Sequence, residues 1–445
     1  MAEKKKSSSE SSVVPEPVVI PQEEHLISPR RINKDALKVL SRLQEAGHRA
    51  YLVGGGVRDL YLDKEPKDFD ISTSARPGEL RKLFRNSRTI GRRFRLVQVF
   101  FPGNHIIEVS TFRCRSEYDL DGTNELLLSN NTFGSRADDA FRRDLTINSL
   151  LYDIRDGSIL DYTGGVEDLK SHIVRIIGDP DRRITRDPVR MLRAIRHAAR
   201  SDFSIEEKTW TAIQMHRDKL HLCPVSRIRD ELLKDLRGGA SRKWVELALD
   251  GGLFCELFPF YHSFFQSNDK SSQYRQELGN ALGVADRLHG KGNYIPEHML
   301  LGLLLLPWAR HTFPFLSSNG EKKRGDAYAM SRSIRQELDT NLLHLNLKKA
   351  IREQVAGLLS HLPLFSSNDR DKWPRWLSKK SYFKERSHFY MMYKEAYGGQ
   401  PVEIKMVAKS SGKPTKKKKS GPSKGGRRPA FTRKEQKGGV FGFKG

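Results

Sequence analysis

Cysteine is scarce in this chain: three in 445 residues, Cys114, Cys223 and Cys255, far apart. No two have the spacing of a metal-binding motif, and three dispersed thiols build no disulfide framework. The natural setting is therefore a reducing one, the cytoplasm. Long apolar runs are missing too. None approaches the ~20 residues needed to span a bilayer, and the first thirty residues lack the apolar centre of a signal peptide. No repeat period is visible. Acidic residues are the third shortage, with 54 Asp and Glu against 79 Lys and Arg, a net charge of +25. Such an excess points to nucleic acid or another anionic surface as partner. Aromatic content is ordinary at 9%, so packed cores are expected, and the length suffices for two or three domains.

What is present begins with glycine. Tyr51-Leu-Val-Gly-Gly-Gly-Val-Arg-Asp-Leu60 reads as a strand, a turn at Gly54, Gly55 and Gly56, and a helix from Val57. Glycines let phosphate oxygens approach the backbone, and a helix N-terminus favours anions. Asp68 and Asp70 follow in Lys67-Asp-Phe-Asp70. Two apart on a strand, they share a face at roughly 6.5–7 Å. Two carboxylates on one face can hold a pair of Mg²⁺ ions, the arrangement used for phosphoryl and nucleotidyl transfer. Glu108 lies inside the apolar run Ile106–Ser110. A buried charge needs a partner, so Glu108 is either a further metal ligand or an edge-strand Glu paired with an Arg. Arg85, Arg88, Arg92, Arg93 and Arg95 form a basic strip suited to a triphosphate or an RNA 3′ end.

Two further clusters lie downstream. In Arg142-Arg143-Asp144-Leu-Thr-Ile-Asn148, a helix would place Asp144 and Asn148 on one face, able to hold a ribose hydroxyl while the Arg pair meets phosphates. In Arg186-Asp187-Pro188-Val189-Arg190, Asp187 and Arg190 fall three apart on the first turn of a helix, where Pro188 is well placed. An acceptor beside a donor matches the edge of adenine or cytosine and mismatches guanine or uracil. A solvated basic helix is the plainer reading of this second cluster.

Composition and periodicity divide the chain. Residues 1–30 are Lys-, Ser-, Glu- and Pro-rich and read as disordered. Residues 31–165 read as a mixed α/β head, with a helix over 32–47 and a hairpin of Leu96–Phe101 and His105–Phe112 joined through Pro102-Gly103-Asn104. Residues 166–240 read as a helical neck, led by a long helix over Arg186–Arg200, and 241–400 as a helical body. Residues 401–445 are Gly-, Ser- and Pro-rich, with Lys416–Lys419 in a row. From 402 onward they hold fourteen Lys/Arg against two Glu, which reads as a flexible basic RNA-binding tail.

Taken together the motifs resemble the class II nucleotidyltransferases, the superfamily of poly(A) polymerases and CCA-adding tRNA nucleotidyltransferases. The resemblance covers roughly residues 32–240. It rests on Leu52-Val-Gly-Gly-Gly-Val-Arg-Asp59, Asp68-x-Asp70, Arg142-Arg-Asp-x-x-x-Asn148, Asp161-x-x-Gly-Gly165 with Asp168-Leu169, and Asp187-x-x-Arg190-x-x-Arg193. Flanking stretches (Arg31–Leu40, Lys64–Asp70, Gly91–Leu96, Asn131–Gly134) are most similar to the bacterial poly(A) polymerase branch, and the basic tail suits it. The resemblance implies a polymerase-beta-like mixed sheet in the head, an all-α neck and body, and Asp68 and Asp70 as ligands of two Mg²⁺. It makes Asp144 an active-site residue. It also implies ATP as substrate, an RNA 3′ end as acceptor and AMP addition without a template. Gly54, Gly55, Arg58, Arg142 and Arg143 would contact phosphates, Asn148 and Asp144 the ribose, and Asp187, Arg190 and Arg193 the nucleotide. CCA addition to tRNA is the alternative within the family, and an inactive RNA-binding module is the alternative outside it. No His-Asp dipeptide occurs, which speaks against the phosphohydrolase domain of some CCA-adding relatives. One departure stands out. Arg186 occupies the position where the family has Glu, so like charge replaces an ion pair beside Arg190, and a pocket set on ATP alone is expected. The chemistry-bearing residues name no protein partner.

Overall fold

The computed structural model describes residues 15–91, 95–114, 133–266, 268–313, 324–366, 373 and 375–404. The motif residues Arg92, Arg93, Asn131 and Thr132, the first fourteen residues and almost all of the basic tail lie outside the described residues.

The head is built on one eight-stranded sheet in the order β1-β8-β7-β2-β3-β6-β5-β4. The strands are β1 (Val18–Ile20), β2 (Ala50–Val53), β3 (Asp70–Thr73), β4 (Ser87–Ile90), β5 (Leu96–Phe101), β6 (His105–Thr111), β7 (Leu151–Tyr152) and β8 (Ile159–Asp161). Only β3 and β6 run parallel; every other neighbouring pair is antiparallel. The expected hairpin is β5–β6, and its corner uses left-handed backbone at Gly103 and Asn104. Alternation along the strands sorts their side chains. Ile71, Val97, Val99 and Val109 join the main core, against which the helix Lys34–Glu45 packs with Ala36, Val39, Leu40 and Leu43. Asn33 caps that helix, its Oδ1 accepting from the Asp35 amide at 2.7 Å. Asp70, Ser72, Glu108 and Gln98 fall on the opposite face.

Residues 15–30 correct the expectation of disorder. Val18–Ile20 pairs with the open edge of β8, and Ile20 and Ile27 are buried. A β-branched run beside an unpaired strand edge gains a ladder and apolar burial together, which outweighs the polar composition around it.

Among the described residues, the neck and body are helical apart from a short parallel pair, Ile173–Val174 with Ser204–Ile205, and the adjoining residues 175–177, which pair with the head. The single helix expected over Arg186–Arg200 is two, Pro180–Arg186 and Val189–Ser201. Pro188 ends the first because the residue before a proline is driven out of helical backbone: Asp187 sits at φ −145°, ψ 82°. The body follows as Asn268–Gly290, Glu297–Thr312, Arg324–Asn341, Lys349–Ser366 and Phe383–Ala396, sharing one apolar core with the head and neck. Among the described residues no helix is long and apolar enough to cross a membrane.

Candidate active site

The glycine turn links β2 to the helix Gly55–Tyr61. Gly54 has φ +72°, a conformation side chains rarely adopt, and a Cβ there would come within 3.3 Å of Arg143 Nη1. A Cβ at Gly56 would meet the Asp68 carbonyl at 3.2 Å. The turn thus presses against both the acidic segment and the arginine pair.

The acidic strand begins at Asp70; Asp68 stands in the lead-in, exposed to solvent. Asp70 lies in register with Glu108 of β6, Glu108 with Gln98 of β5, and Gln98 with Arg88 of β4. Adjacent strands are roughly 4.8 Å apart, so these side chains form a row across one face. Glu108 is therefore on an interior strand, and its Oε1 accepts from Gln98 Nε2 at 2.9 Å, in place of the edge position and Arg partner considered from sequence. Asp70 keeps one side open to water but is crowded by protein on the others. That desolvation, then the Glu108 charge, pushes its carboxyl up to about 6, with Asp68 adding to the rise and Arg143 opposing it. Among the described residues no three His, Cys, Asp or Glu side chains stand close enough to hold a metal by themselves.

The arginine pair is held by a residue the sequence reading passed over. Asp139, 1% exposed, lies three and four residues ahead of it in the helix Arg136–Phe141. Its Oδ1 takes Arg142 Nη2 at 2.7 Å and its Oδ2 takes Arg143 Nη2 at 3.0 Å. Burial alone would raise the Asp139 pKa, but the two guanidiniums keep it below the ordinary value. The spacing was the available signal. Arg143 Nη2 also donates to Ser72 Oγ at 3.2 Å on the Asp70 face.

Asp144 and Asn148 do not share a helix. The helix ends at Phe141, and residues 144–146 instead pair with 175–177: Ile177 N donates to Asp144 O at 3.1 Å and Thr146 N to Arg175 O at 3.1 Å. Gly165 allows this, since a Cβ there would lie 2.3 Å from the Thr146 carbonyl. Asp161 supports it by accepting from the amides of Thr163, Gly164 and Val166, and Asp168 accepts from Thr146 Oγ1 at 2.6 Å. Asp144 faces the neck, where its Oδ2 pairs with Arg193 Nε at 2.9 Å. Burial raises this carboxyl, but Arg193, with Arg190 behind it, holds it far below the usual carboxylate range. Asn148 Oδ1 accepts from Arg58 Nη1 at 2.7 Å.

Asp187 and Arg190 are neighbours, yet the carboxylate's partner is Arg227 of the helix Val225–Leu236. Arg227 grips it with both terminal nitrogens, Nη1 to Oδ1 at 3.0 Å and Nη2 to Oδ2 at 3.1 Å. Arg190 Nη1 donates to the Arg143 carbonyl at 3.2 Å, and Arg183 Nη2 to the Arg142 carbonyl at 3.0 Å. Arg227 is forty residues from Asp187, a separation no local pattern reports. The basic strip is divided. Arg88 stands on the Asp70 face. Arg85 lines a cavity on the other side of the sheet with Lys38, Arg42 and Phe84.

A cleft of ≈ 380 Å³ opens between head and neck. Gly55, Gly56, Arg58, Asp68 and Asp70 line it on one side, His197, Arg200 and Gly238 on the other, with Lys64 and Lys67 at the rim. Glycine turn, carboxylates and cations around one cleft are the parts of a nucleotidyltransferase. The family profile for the Poly A polymerase head domain matches residues 50–175. A second, described as the probable RNA and SrmB-binding site of polymerase A, matches 202–265. Poly(A) polymerase I of Escherichia coli is 46% identical over 312 residues, 68% of this chain and 67% of that one. Poly(A) polymerase I of Salmonella typhi is 42% identical over 321 residues, 70% and 67% of the two chains. The CCA-adding enzyme of Lactobacillus helveticus is 43% identical over 217 residues, 48% and 53% of the two. In fold, the crystal structure of the Bacillus stearothermophilus CCA-adding enzyme in complex with CTP superposes with a TM-score of 0.62 at 24% identity, covering 83% of this chain and 78% of that one. The chain belongs to the nucleotidyltransferase family that contains the poly(A) polymerases and the CCA-adding enzymes.

Proposed function

We propose that this protein adds AMP from ATP to RNA 3′-hydroxyls without a template, releasing pyrophosphate. The observation that carries the choice of product is its likeness, over two thirds of the chain, to proteins named Poly(A) polymerase I. The site supports the chemistry. Asp70 is partly desolvated and feels the like charges of Glu108 and Asp68, a repulsion that a divalent cation would relieve. Mg²⁺ is commonly held by one or two carboxylates with substrate phosphates completing its shell, so Asp68 and Asp70 suffice as protein ligands, with Glu108 as a charged neighbour. When bound, two such ions would supply activation of the 3′-oxygen and neutralisation of the leaving pyrophosphate.

The chain's own residues do the rest. The turn at Gly54 and Gly55 gives phosphates access to backbone, and Arg143, held beside Gly54 by Asp139, offers charge to them together with Arg142 and Arg58. Asp144 and Asn148, with Arg193, meet the ribose. Asp187 and Arg190 read the adenine edge. Arg186 brings no carboxylate to this pair, but Arg227 fixes Asp187 from the next helix, so a rigid acceptor survives the departure. A carboxylate has about four lone-pair positions, and two remain after a bidentate arginine.

CCA addition is the second reading, favoured by the likeness to the Lactobacillus helveticus enzyme. Purified protein, Mg²⁺, each nucleotide in turn, an unrelated RNA oligomer and a tRNA trimmed of its last three nucleotides separate the two. Long A tails on the oligomer with CTP a poor substrate are expected. Two C and one A added to trimmed tRNA, followed by a stop, would overturn the proposal.

A further inference from the structure

The helix Val189–Ser201 presents three side chains to the head at spacings of three and four, which is one helical face. Arg190 meets the Arg143 carbonyl, Arg193 meets Asp144, and His197 meets both Arg58 and Asn148. The intervening Arg196 turns the other way, to Glu231 and Asp235. His197 is the last of the three contacts and the one that reaches the glycine-turn helix. Its Nδ1 lies 3.1 Å from Arg58 Nη1 and its Nε2 lies 3.3 Å from Asn148 Nδ2. Arg58 Nη1 donates to Asn148 Oδ1 as well, at 2.7 Å, closing a triangle of side chains from three elements. The remaining side of Arg58 is fixed by Asp59, whose Oδ1 accepts from Nε at 2.9 Å and Nη2 at 2.7 Å.

Hydrogen-bond bookkeeping decides the state of the ring. Arginine only donates, so Nδ1 must accept and carries no proton; the ring's one proton then sits on Nε2, where the 3.3 Å approach of the Asn148 amide nitrogen, itself a donor, is a packing contact and not a hydrogen bond. A second proton would set donor against donor at Arg58 and add a cation beside Arg58, Arg193 and Arg196. Burial and the Arg58 charge accordingly lower the His197 pKa well below its ordinary value, against the pull of Asp144.

What Arg58 does explains why its aim matters. A Cβ on Gly55 would lie 3.4 Å from Arg58 Nη2, so the guanidinium rests against the glycine turn, on the wall of the cleft that Asp68 and Asp70 also line. Resting on the nucleotidyl-transfer reading of this cleft, we infer that His197 is a positioning residue: its neutral ring accepts from Arg58, fixing from the neck side the guanidinium that meets the nucleotide's phosphates. The base-reading end and the phosphate-positioning end of nucleotide recognition then sit on one rigid helix, seven residues apart.

Three substitutions test this. His197→Phe keeps an aromatic ring and loses the acceptor; His197→Asn restores an acceptor oxygen near the Nδ1 position; Arg58→Met removes the group being positioned. With RNA primer and Mg²⁺ saturating, His197→Phe is expected to raise the KM for ATP roughly tenfold, the effect of one lost bond to a charged group, with kcat within about twofold. His197→Asn should recover most of that loss. In the Arg58→Met background, His197→Phe should add little. A wild-type KM in His197→Phe, an equal defect in His197→Asn, or full additivity with Arg58→Met would each overturn the inference. Thermal unfolding checks that His197→Phe is folded, and His197→Leu replaces it otherwise. If the wild-type protein transfers no nucleotide, the functional reading fails by itself. Equilibrium binding of a non-hydrolysable ATP analogue then tests His197 directly, with the same weakening expected in His197→Phe, and absence of analogue binding to the wild type overturns both.

Discussion

Asp70→Asn should stabilise the metal-free protein at pH 8 while removing most of its transfer activity. The Asp70 carboxyl rises from 3.8 to about 6 in the folded protein. A group whose folded pKa is raised contributes most to stability below its unfolded pKa, and that contribution is lost as pH rises through the folded value. Each unit corresponds to about 1.4 kcal/mol, so a rise of about two units sets a ceiling near 3 kcal/mol. Asp70 is open to water on one side, and solvent screening reduces the expected gain to about 1 kcal/mol. For a chain of this size that is a rise of roughly 2 °C in Tm. The pH dependence is the sharper signature. The gain should be full above pH 7, fall to about half by pH 5 and vanish toward pH 3.8.

The assay is thermal unfolding of wild type and Asp70→Asn in EDTA at pH 8 and pH 5, repeated with Mg²⁺ at pH 8. Mg²⁺ should raise the wild-type Tm, because a ligand that binds only the folded state stabilises it, and should leave Asp70→Asn nearly unmoved. An Asn variant less stable than wild type at pH 8, or equally stabilised at both pH values, would refute the view that Asp70 is held ionised at a cost. Equal Mg²⁺ responses in the two proteins would remove Asp70 from the ion site.

Three further outcomes follow from the same geometry. Asp139→Ala leaves Arg142 and Arg143 without their shared buried counter-ion and should cost about 3–5 kcal/mol; an unchanged denaturation midpoint would mean the clamp is not structural. Arg227→Met frees Asp187 to rotate and should narrow the gap in kcat/KM between ATP and CTP, with little loss of stability since Arg227 is partly exposed; an unchanged ratio would break the link between Arg227 and base choice. Removing residues 407–445 takes away thirteen Lys/Arg and one Glu, so RNA affinity should fall and its dependence on salt should flatten; an unchanged salt slope would mean the tail does not touch RNA.

The head could be read from the sequence because its signals are local. Glycines that need unusual backbone, an alternating strand and a Pro-Gly-Asn corner each act within a few residues, and β2 and the β5–β6 hairpin lie where those patterns put them; β3 starts only at Asp70, so Asp68 stands ahead of the strand on which the spacing had placed both carboxylates. The wiring was harder. An i, i+4 match of Asp144 and Asn148 suggested a helix, but pairing with residues 175–177 holds the chain extended at Leu145, and only a single 3-10 turn, Thr146–Asn148, follows. Pro188 split a helix whose charge spacing runs smoothly through the break. Val18–Ile20, surrounded by polar residues, found a strand edge more than 130 residues away.

The arginines illustrate the limit best. Arg190, Arg193, Arg196 and Arg200 recur at three- and four-residue intervals and look like one basic stripe. In the structure they divide. Arg190 and Arg193 bind a carbonyl and a carboxylate of the head, while Arg196 turns to the buried Asp235 and Glu231 and Arg200 to the Lys234 carbonyl. A helix of 3.6 residues per turn cannot keep four such positions on one line, and a few tens of degrees decide which neighbour each side chain meets. The uncharged His197 completes the head-facing set, so a reading that counted only cations had to miss it. The same rotation makes the neck helix a joint with two sides: one meets the head, and the other is bolted to the next helix, from which Arg227 returns to hold Asp187. If Asp187 and Arg190 read the base as proposed, base choice will depend on the packing between two neck helices as well as on that pair, because Arg227 holds Asp187 from the second of them.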